Sequence, residues 1–230
     1  MRLLQPRVGA RKLFDDVCER FGKVIGRDRF FEVLREHSLL LKPREKNFTR
    51  TTYSNHPYAV APNLLHKVEP TGANQVYVAD ITYLSLKTKF VYLFLVTDLY
   101  SRKIVGWHLS ESLGNEGARL ALEMALKNVD DSDNIIHHSD RGCQYCCHKF
   151  RNYLKSKGML SSMTDENHCY QNAVAERVNG ILKDEFYLDL VFDSFAQLNK
   201  VLEQTIFIYN NYRRHNSLGN RRPAEVHAAA

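Results

Sequence analysis

The chain has 230 residues, 44% of them hydrophobic and 25% charged, enough for one full core and a small accessory domain. It contains no apolar run of about 18 residues and no apolar stretch after Met1, which excludes a membrane span and a signal peptide and points to the cytoplasm. Its net charge of +6 is concentrated at one end. Residues 1–50 carry 13 Lys and Arg against 7 Asp and Glu, while the other 180 carry 19 of each. A positive excess confined to the N-terminal fifth suits a polyanion such as DNA, or a pair of solvated basic helices.

In chain order, residues 8–22 and 27–41 have helical periodicity, with Gly22 and Gly26 bracketing the turn between them. Two helices joined by a tight turn fit a helix-turn-helix over 1–45, whose second helix would carry Arg27, Arg29 and Arg35 toward DNA. Residues 46–74 are polar and punctuated by Pro57, Pro62 and Pro70, and are expected to be a linker. From 75 to 230 the pattern is that of a folded core. Three β-rich runs, 75–86, 89–98 and 103–110, precede a helix from Asn115 to Asn128. A strand at 134–139, a helix near 147–157, a strand at 159–163, a helix ending near Phe186 and a last helix from Ser194 to about Tyr212 follow. The order predicts an α/β fold, a mixed five-stranded sheet flanked by helices. The five cysteines have no disulfide-scaffold spacing. A zinc site from Cys143, Cys146, His168 and Cys169 is disfavoured because the second pair is adjacent in sequence.

Three acids stand out. Asp80 interrupts the strand-like run Val76–Tyr83, where a carboxylate is costly unless it is paired or holds a metal. Asp140 ends the run Ile135-Ile136-His137-His138-Ser139, and Glu176 lies 35 residues further on, in a helical segment. On that helix Asn172, Glu176, Asn179 and Lys183 share a stripe opposite Val178, Ile181 and Leu182, so the polar stripe is expected to face outward. Asn179 and Lys183 would then touch DNA backbone, or simply be solvated, and Asn172 would cap the helix. Asp98, before Tyr100-Ser101, reads as a turn residue. Arg213 and Arg214 begin a basic tail that would track phosphates or lie in solvent.

Several ordered motifs carry a resemblance. Val78-Ala79-Asp80-Ile81-Thr82-Tyr83, Thr97-Asp98-Leu99-Tyr100-Ser101-Arg102, His138-Ser139-Asp140-Arg141-Gly142, Asn172-Ala173-Val174-Ala175-Glu176-Arg177 and Tyr209-Asn210-Asn211-Tyr212-Arg213-Arg214-His215 resemble the ribonuclease-H-like core of integrases and DDE transposases. The set is most similar to the OrfB-type transposases of bacterial insertion sequences. The chain departs from that pattern at Gln171 and Cys146, among other places. The resemblance implies metal-dependent DNA cleavage and strand transfer, with Asp80, Asp140 and Glu176 binding two Mg²⁺ ions, replaceable by Mn²⁺. It also implies DNA as partner, a homodimer or larger assembly, and an upstream OrfA-type polypeptide. The alternatives are a ribonuclease-H-like nuclease without strand transfer and an inactive relative that only binds DNA.

Overall fold

The computed structural model describes residues 2–22, 25–41, 57–166 and 169–230. A pair of short helices comes first, α1 (Ala10–Phe21) and α2 (Arg27–Glu36). The core follows with β1 (Val76–Leu86), β2 (Phe90–Asp98), β3 (Ile104–Ser110), α3 (Asn115–Leu126), β4 (Ile136–Ser139), α4 (Cys143–Cys146), α5 (His148–Ser156) and β5 (Leu160–Met163). A 3₁₀ turn, Cys169–Asn172, leads into α6 (Ala173–Phe186), and β6 (Val191–Phe192), α7 (Phe195–Asn211) and α8 (Pro223–Ala228) complete the chain. Among the described residues no helix is long and apolar enough to cross a membrane.

β1 is the centre of the sheet, whose order is β3-β2-β1-β4-β5. It runs antiparallel to β2, with Asp80 opposite Leu95, and parallel to β4, with Ala79 opposite Ser139. β6 adds a sixth strand of two residues at the far end of β1, too short to leave a period-2 signal in sequence. Alternation along the strands divides the core. Tyr77, Ala79, Phe94 and Val96 pack with α3 and α5 residues such as Leu122 and Phe150, whereas Leu84, Leu93 and Leu95 pack with Val178, Ile181, Leu198 and Leu202 of α6 and α7. Asp80 shares the parity of Leu84 and so faces the α6 side of the sheet. Helix α3 lies so close to β3 that a Cβ at Gly106 would meet the Ala121 carbonyl oxygen at 2.0 Å, which explains the glycine in mid-strand.

The expected elements shift at their ends. α2 stops at Glu36 rather than Leu41: the His37 N–H closes on Val33, and Ser38 takes the left-handed conformation with φ 55°. Residues 46–56 of the expected linker lie outside the described residues. Its second half is laid against the core: Ala61 is buried, the Leu64 N–H donates to Ser162 Oγ at 3.0 Å, and Arg151 donates to the Ala59 carbonyl at 3.2 Å.

The N-terminal pair has its own small core of Val8, Leu13, Phe30 and Leu34. It is tied to the C-terminal segment by acids of α1. Asp16 accepts from Arg214 at 2.8 Å, Glu19 pairs with Arg214 and Arg222, and Asp15 accepts from Asn220. Arg7 stacks over the Tyr187 ring at 3.9 Å and pairs with Asp189.

Candidate active site

Asp80 projects from mid-β1, Asp140 is the first residue after β4, and Glu176 occupies the first turn of α6. The parallel pairing of β1 and β4 puts the first two on adjacent strands, and the packing of α6 on β1 brings the third toward them. Their charges act on one another. Burial raises the Asp80 carboxyl to about 7, and the charges of Asp140 and Glu176 add to the rise. Glu176, exposed on its helix, is raised by desolvation and by Asp140. Asp140 Oδ1 also accepts the Gly142 N–H at 3.0 Å, which fixes the strand-end turn.

Opposing this repulsion, Asn179 Nδ2 donates to Asp80 Oδ2 at 2.7 Å. Lys183, one turn on, is half-buried: desolvation lowers its ammonium, and the Asp80 charge partly restores it. Asn172 Nδ2 donates to the Ala79 carbonyl at 2.9 Å, pinning the start of α6 to the strand beside Asp80. Behind the acids Tyr145 is fully buried, and burial together with Asp80 and Asp140 pushes its phenol well up.

Two expectations about α6 are corrected here. Asn172 and Asn179 of its polar stripe face β1 rather than solvent, and Asn179 is only 5% exposed, so it serves Asp80 instead of reaching DNA. Asn172 stands at the N-cap position without capping, its amide being spent on Ala79. Two further corrections concern the basic tail. Arg213 is 1% exposed and held bidentate by Glu185 at 2.6 and 2.7 Å, and Arg214 is spent on Asp16 and Glu19. Neither guanidinium is offered to phosphates. Arg27, Arg29 and Arg35 remain on the exposed surface of α2, Arg27 with Asp28 and Arg29 with Glu32 and Glu36.

Asp98 acts as the turn residue it was read to be, accepting from the Ser101 N–H and hydroxyl and from the Asn74 N–H. His137 lies buried between Tyr145 and Phe150, and His138 bonds Ser162 at 2.8 Å. Burial holds both neutral, lowering them to about 3 and about 4. Of the disfavoured zinc set, His168 lies outside the described residues, and Cys146 is buried against Met163. A role absent from the sequence reading belongs to Gln171. Its Oε1 accepts from Asn63 and from the Asp165 N–H, and its Nε2 donates to Asp165, clasping residues 57–66 to the approach to α6.

The donor set at the acids is all hard oxygen, which suits Mg²⁺ or Mn²⁺. Among the described residues no three His, Cys, Asp or Glu side chains converge into a ready-made cation cage. The acids are instead an open group whose like charges a divalent cation would relieve. Asn179 Oδ1, buried without a hydrogen-bond partner, is a second sign of a site completed by something bound. Because Asn179 orients Asp80, Asn179→Ala is expected to lower activity about 10–100-fold, as loss of a ligand's supporting hydrogen bond does. A metal titration of the activity checks it, since the apparent metal requirement should rise in parallel.

Comparisons with known proteins show what the chain as a whole is similar to. An "Integrase core domain" family model matches residues 70–169, and a second one matches 157–223. The chain is 39% identical over 218 residues to the insertion element IS600 uncharacterized 31 kDa protein of Shigella sonnei, covering 94% of this chain and 79% of that protein. It is 33% identical over 225 residues to the transposase InsF for insertion sequence IS3A of Escherichia coli K12, covering 95% and 76%. Among solved structures, the HTLV-2 integrase catalytic core domain in complex with magnesium aligns with a TM-score of 0.56 at 16% identity, over 69% of this chain and 99% of that one. A simian T-cell lymphotropic virus intasome in complex with a PP2A regulatory subunit aligns with a TM-score of 0.60 at 15% identity, over 96% and 71%.

Proposed function

Because the chain belongs to the integrase-core family of bacterial insertion-sequence transposases, we propose that it cuts and joins DNA at Asp80, Asp140 and Glu176. What supports this reading is the family together with the placement of Asp80 in mid-β1, Asp140 directly after the adjacent β4, and Glu176 in the first turn of α6, which packs on β1. In the proposed reaction, water hydrolyses a phosphodiester at the element end and frees a 3′ hydroxyl. That oxygen then attacks a phosphorus in the target strand, forming one P–O bond as another breaks.

Asp80, Asp140 and Glu176 would hold the divalent cation, two ions per site, Mg²⁺ or Mn²⁺. Bound there, the metal would activate the attacking oxygen and stabilise the leaving one. The chain's own contribution is placement. Asn179 keeps one Asp80 oxygen engaged, Asn172 holds α6 against β1, and Lys183 sets a positive charge beside Asp80. Arg27, Arg29 and Arg35 would meet terminal DNA from α2, the first two exchanging their helix-borne acids for phosphate. Joining two ends calls for a dimer or larger assembly on DNA, with an OrfA-type polypeptide upstream.

Incubation with end-containing oligonucleotides and Mg²⁺ tests the reading. Cleaved and joined products are expected. Hydrolysis without joining would favour a plain nuclease, and binding without any metal-dependent cleavage would favour an inactive relative.

The raised Asp80 carboxyl makes a second prediction. Since its proton must leave before metal binds, Mg²⁺ binding should release about one proton at pH 6 and almost none at pH 8.5. Calorimetry in buffers of different ionisation enthalpy reads this directly, and release that does not vary with pH would contradict it.

A further inference from the structure

Part of the positive charge on this chain is matched within it. Arg29 pairs with Glu32 and Glu36, Arg119 with Glu116 and Glu123, Arg213 with Glu185, and Arg222 with Glu19 and Glu225. Helix α5 is different: its sequence, HKFRNYLKS, contains no acid. His148, Arg151 and Lys155 follow at three- and four-residue steps and so form one stripe, while Phe150 and Leu154 are buried. Among the described residues neither Arg151 nor Lys155 forms an ion pair. Like charges one turn apart repel, and a negative ligand would relieve that repulsion.

The stripe also has a shape. With Asn152 and Leu154 it lines a concavity of about 320 Å³, closed on the other side by Met159 and Ser161 at the start of β5. No carboxylate lines it, and its polar groups are chiefly donors. Two of them are held in place by residues 57–61: Arg151 donates to the Ala59 carbonyl, and Tyr58 packs edge-on against His148 at 5.9 Å.

We propose that this groove between α5 and β5 binds the phosphates of a DNA backbone, with Arg151 and Lys155 supplying charge and His148, Asn152 and Ser161 hydrogen bonds. An acidic peptide added as a strand is the poorer fit. β5 is the sheet edge, but the chain's own segment already lies along it, with the Ala61 N–H on Met163 Sδ and the Leu64 N–H on Ser162 Oγ. The groove opens at the Met159–Ser161 end of β5, whereas Asp140 follows Ser139, which pairs with Met163 at the other end. It therefore grips DNA flanking the reacting phosphate. The inference rests on the proposed action on DNA.

The test is fluorescence anisotropy of the full chain with a random-sequence duplex of about 30 base pairs across a salt series, without divalent metal. Lys155→Ala should reduce the slope of log affinity against log salt by about 0.9, the value of one lost phosphate contact. Asn152→Asp, which removes no positive charge, should weaken binding several-fold at fixed salt. Lys127→Ala, an equal loss of charge at an exposed site outside the groove, should leave the slope unchanged. A wild-type slope in Lys155→Ala, an equal loss in Lys127→Ala, or displacement of the DNA by polyglutamate at matched charge would overturn the proposal. Because the assay needs no cleavage, a chain that binds in this way yet never cuts would sink the catalytic reading and leave the groove standing.

Discussion

Asp80→Asn is expected to abolish DNA joining, by about 10³-fold or more, which corresponds to about 4 kcal/mol of barrier. The substitution keeps the shape and an oxygen that can still accept from Asn179, so the loss isolates the charge that would hold metal. The same change should stabilise the fold. In the folded protein Asp80 titrates at about 7, against 3.8 for an unperturbed carboxyl, through burial and the charges of Asp140 and Glu176. A group whose folded pKa is raised favours folding when protonated. Its ionisation therefore costs stability increasingly as pH rises from about 4 to about 7, and the full cost stands above that. Removing it should raise stability at pH 8 by about 1–2 kcal/mol, allowing for the water that reaches this half-buried acid. The gain should vanish below pH 4. Activity lost and stability gained together are the signature of a group kept for chemistry. Thermal melts at pH 8 and pH 4, beside joining assays, read both. A variant that joins DNA normally, or one that melts lower at pH 8, would contradict the account.

Glu185→Ala is expected to destabilise the protein by about 3–5 kcal/mol, because it leaves the Arg213 guanidinium buried and unpaired. Arg213 is 1% exposed; Glu185 takes two of its donors, and the Arg214 carbonyl takes a third at 3.2 Å. For a chain of this size the loss corresponds to a fall in Tm of about 10 °C. Replacing both partners, Glu185→Leu with Arg213→Met, should recover most of it, since the desolvation of both charges goes with the pair. A change below about 1 kcal/mol in Glu185→Ala would return Arg213 to the solvent-exposed tail that its position in a basic run suggests.

These two residues also mark where sequence was informative. Asp80 was legible because an acid in a run of alternating β-formers breaks the pattern, and a broken pattern has a cost that needs a cause. The sheet was legible for a related reason: β1 and β2 each bury both faces, and their Val, Ile, Leu and aromatic content exceeds what any loop would carry. Arg213 was not legible. An arginine followed by another arginine carries the same local signal whether it meets phosphate or a buried glutamate, and Glu185 is 28 positions away. The same limit applies to α6. Periodicity separates Asn172, Asn179 and Lys183 from Val178 and Ile181, but it does not say that the polar stripe turns toward an acid on β1 instead of water. The clasp of Gln171 with Asn63 and Asp165 escaped because Asn63 lies 108 positions from Gln171 and each member is an ordinary polar residue.

Anomalous scattering from crystals of the full chain grown with Mn²⁺ tests the central claim most directly. The account predicts manganese among the carboxylates of Asp80, Asp140 and Glu176, and its loss in Asp80→Asn. Manganese bound elsewhere in a preparation that cleaves DNA, with these three acids uninvolved, would contradict it.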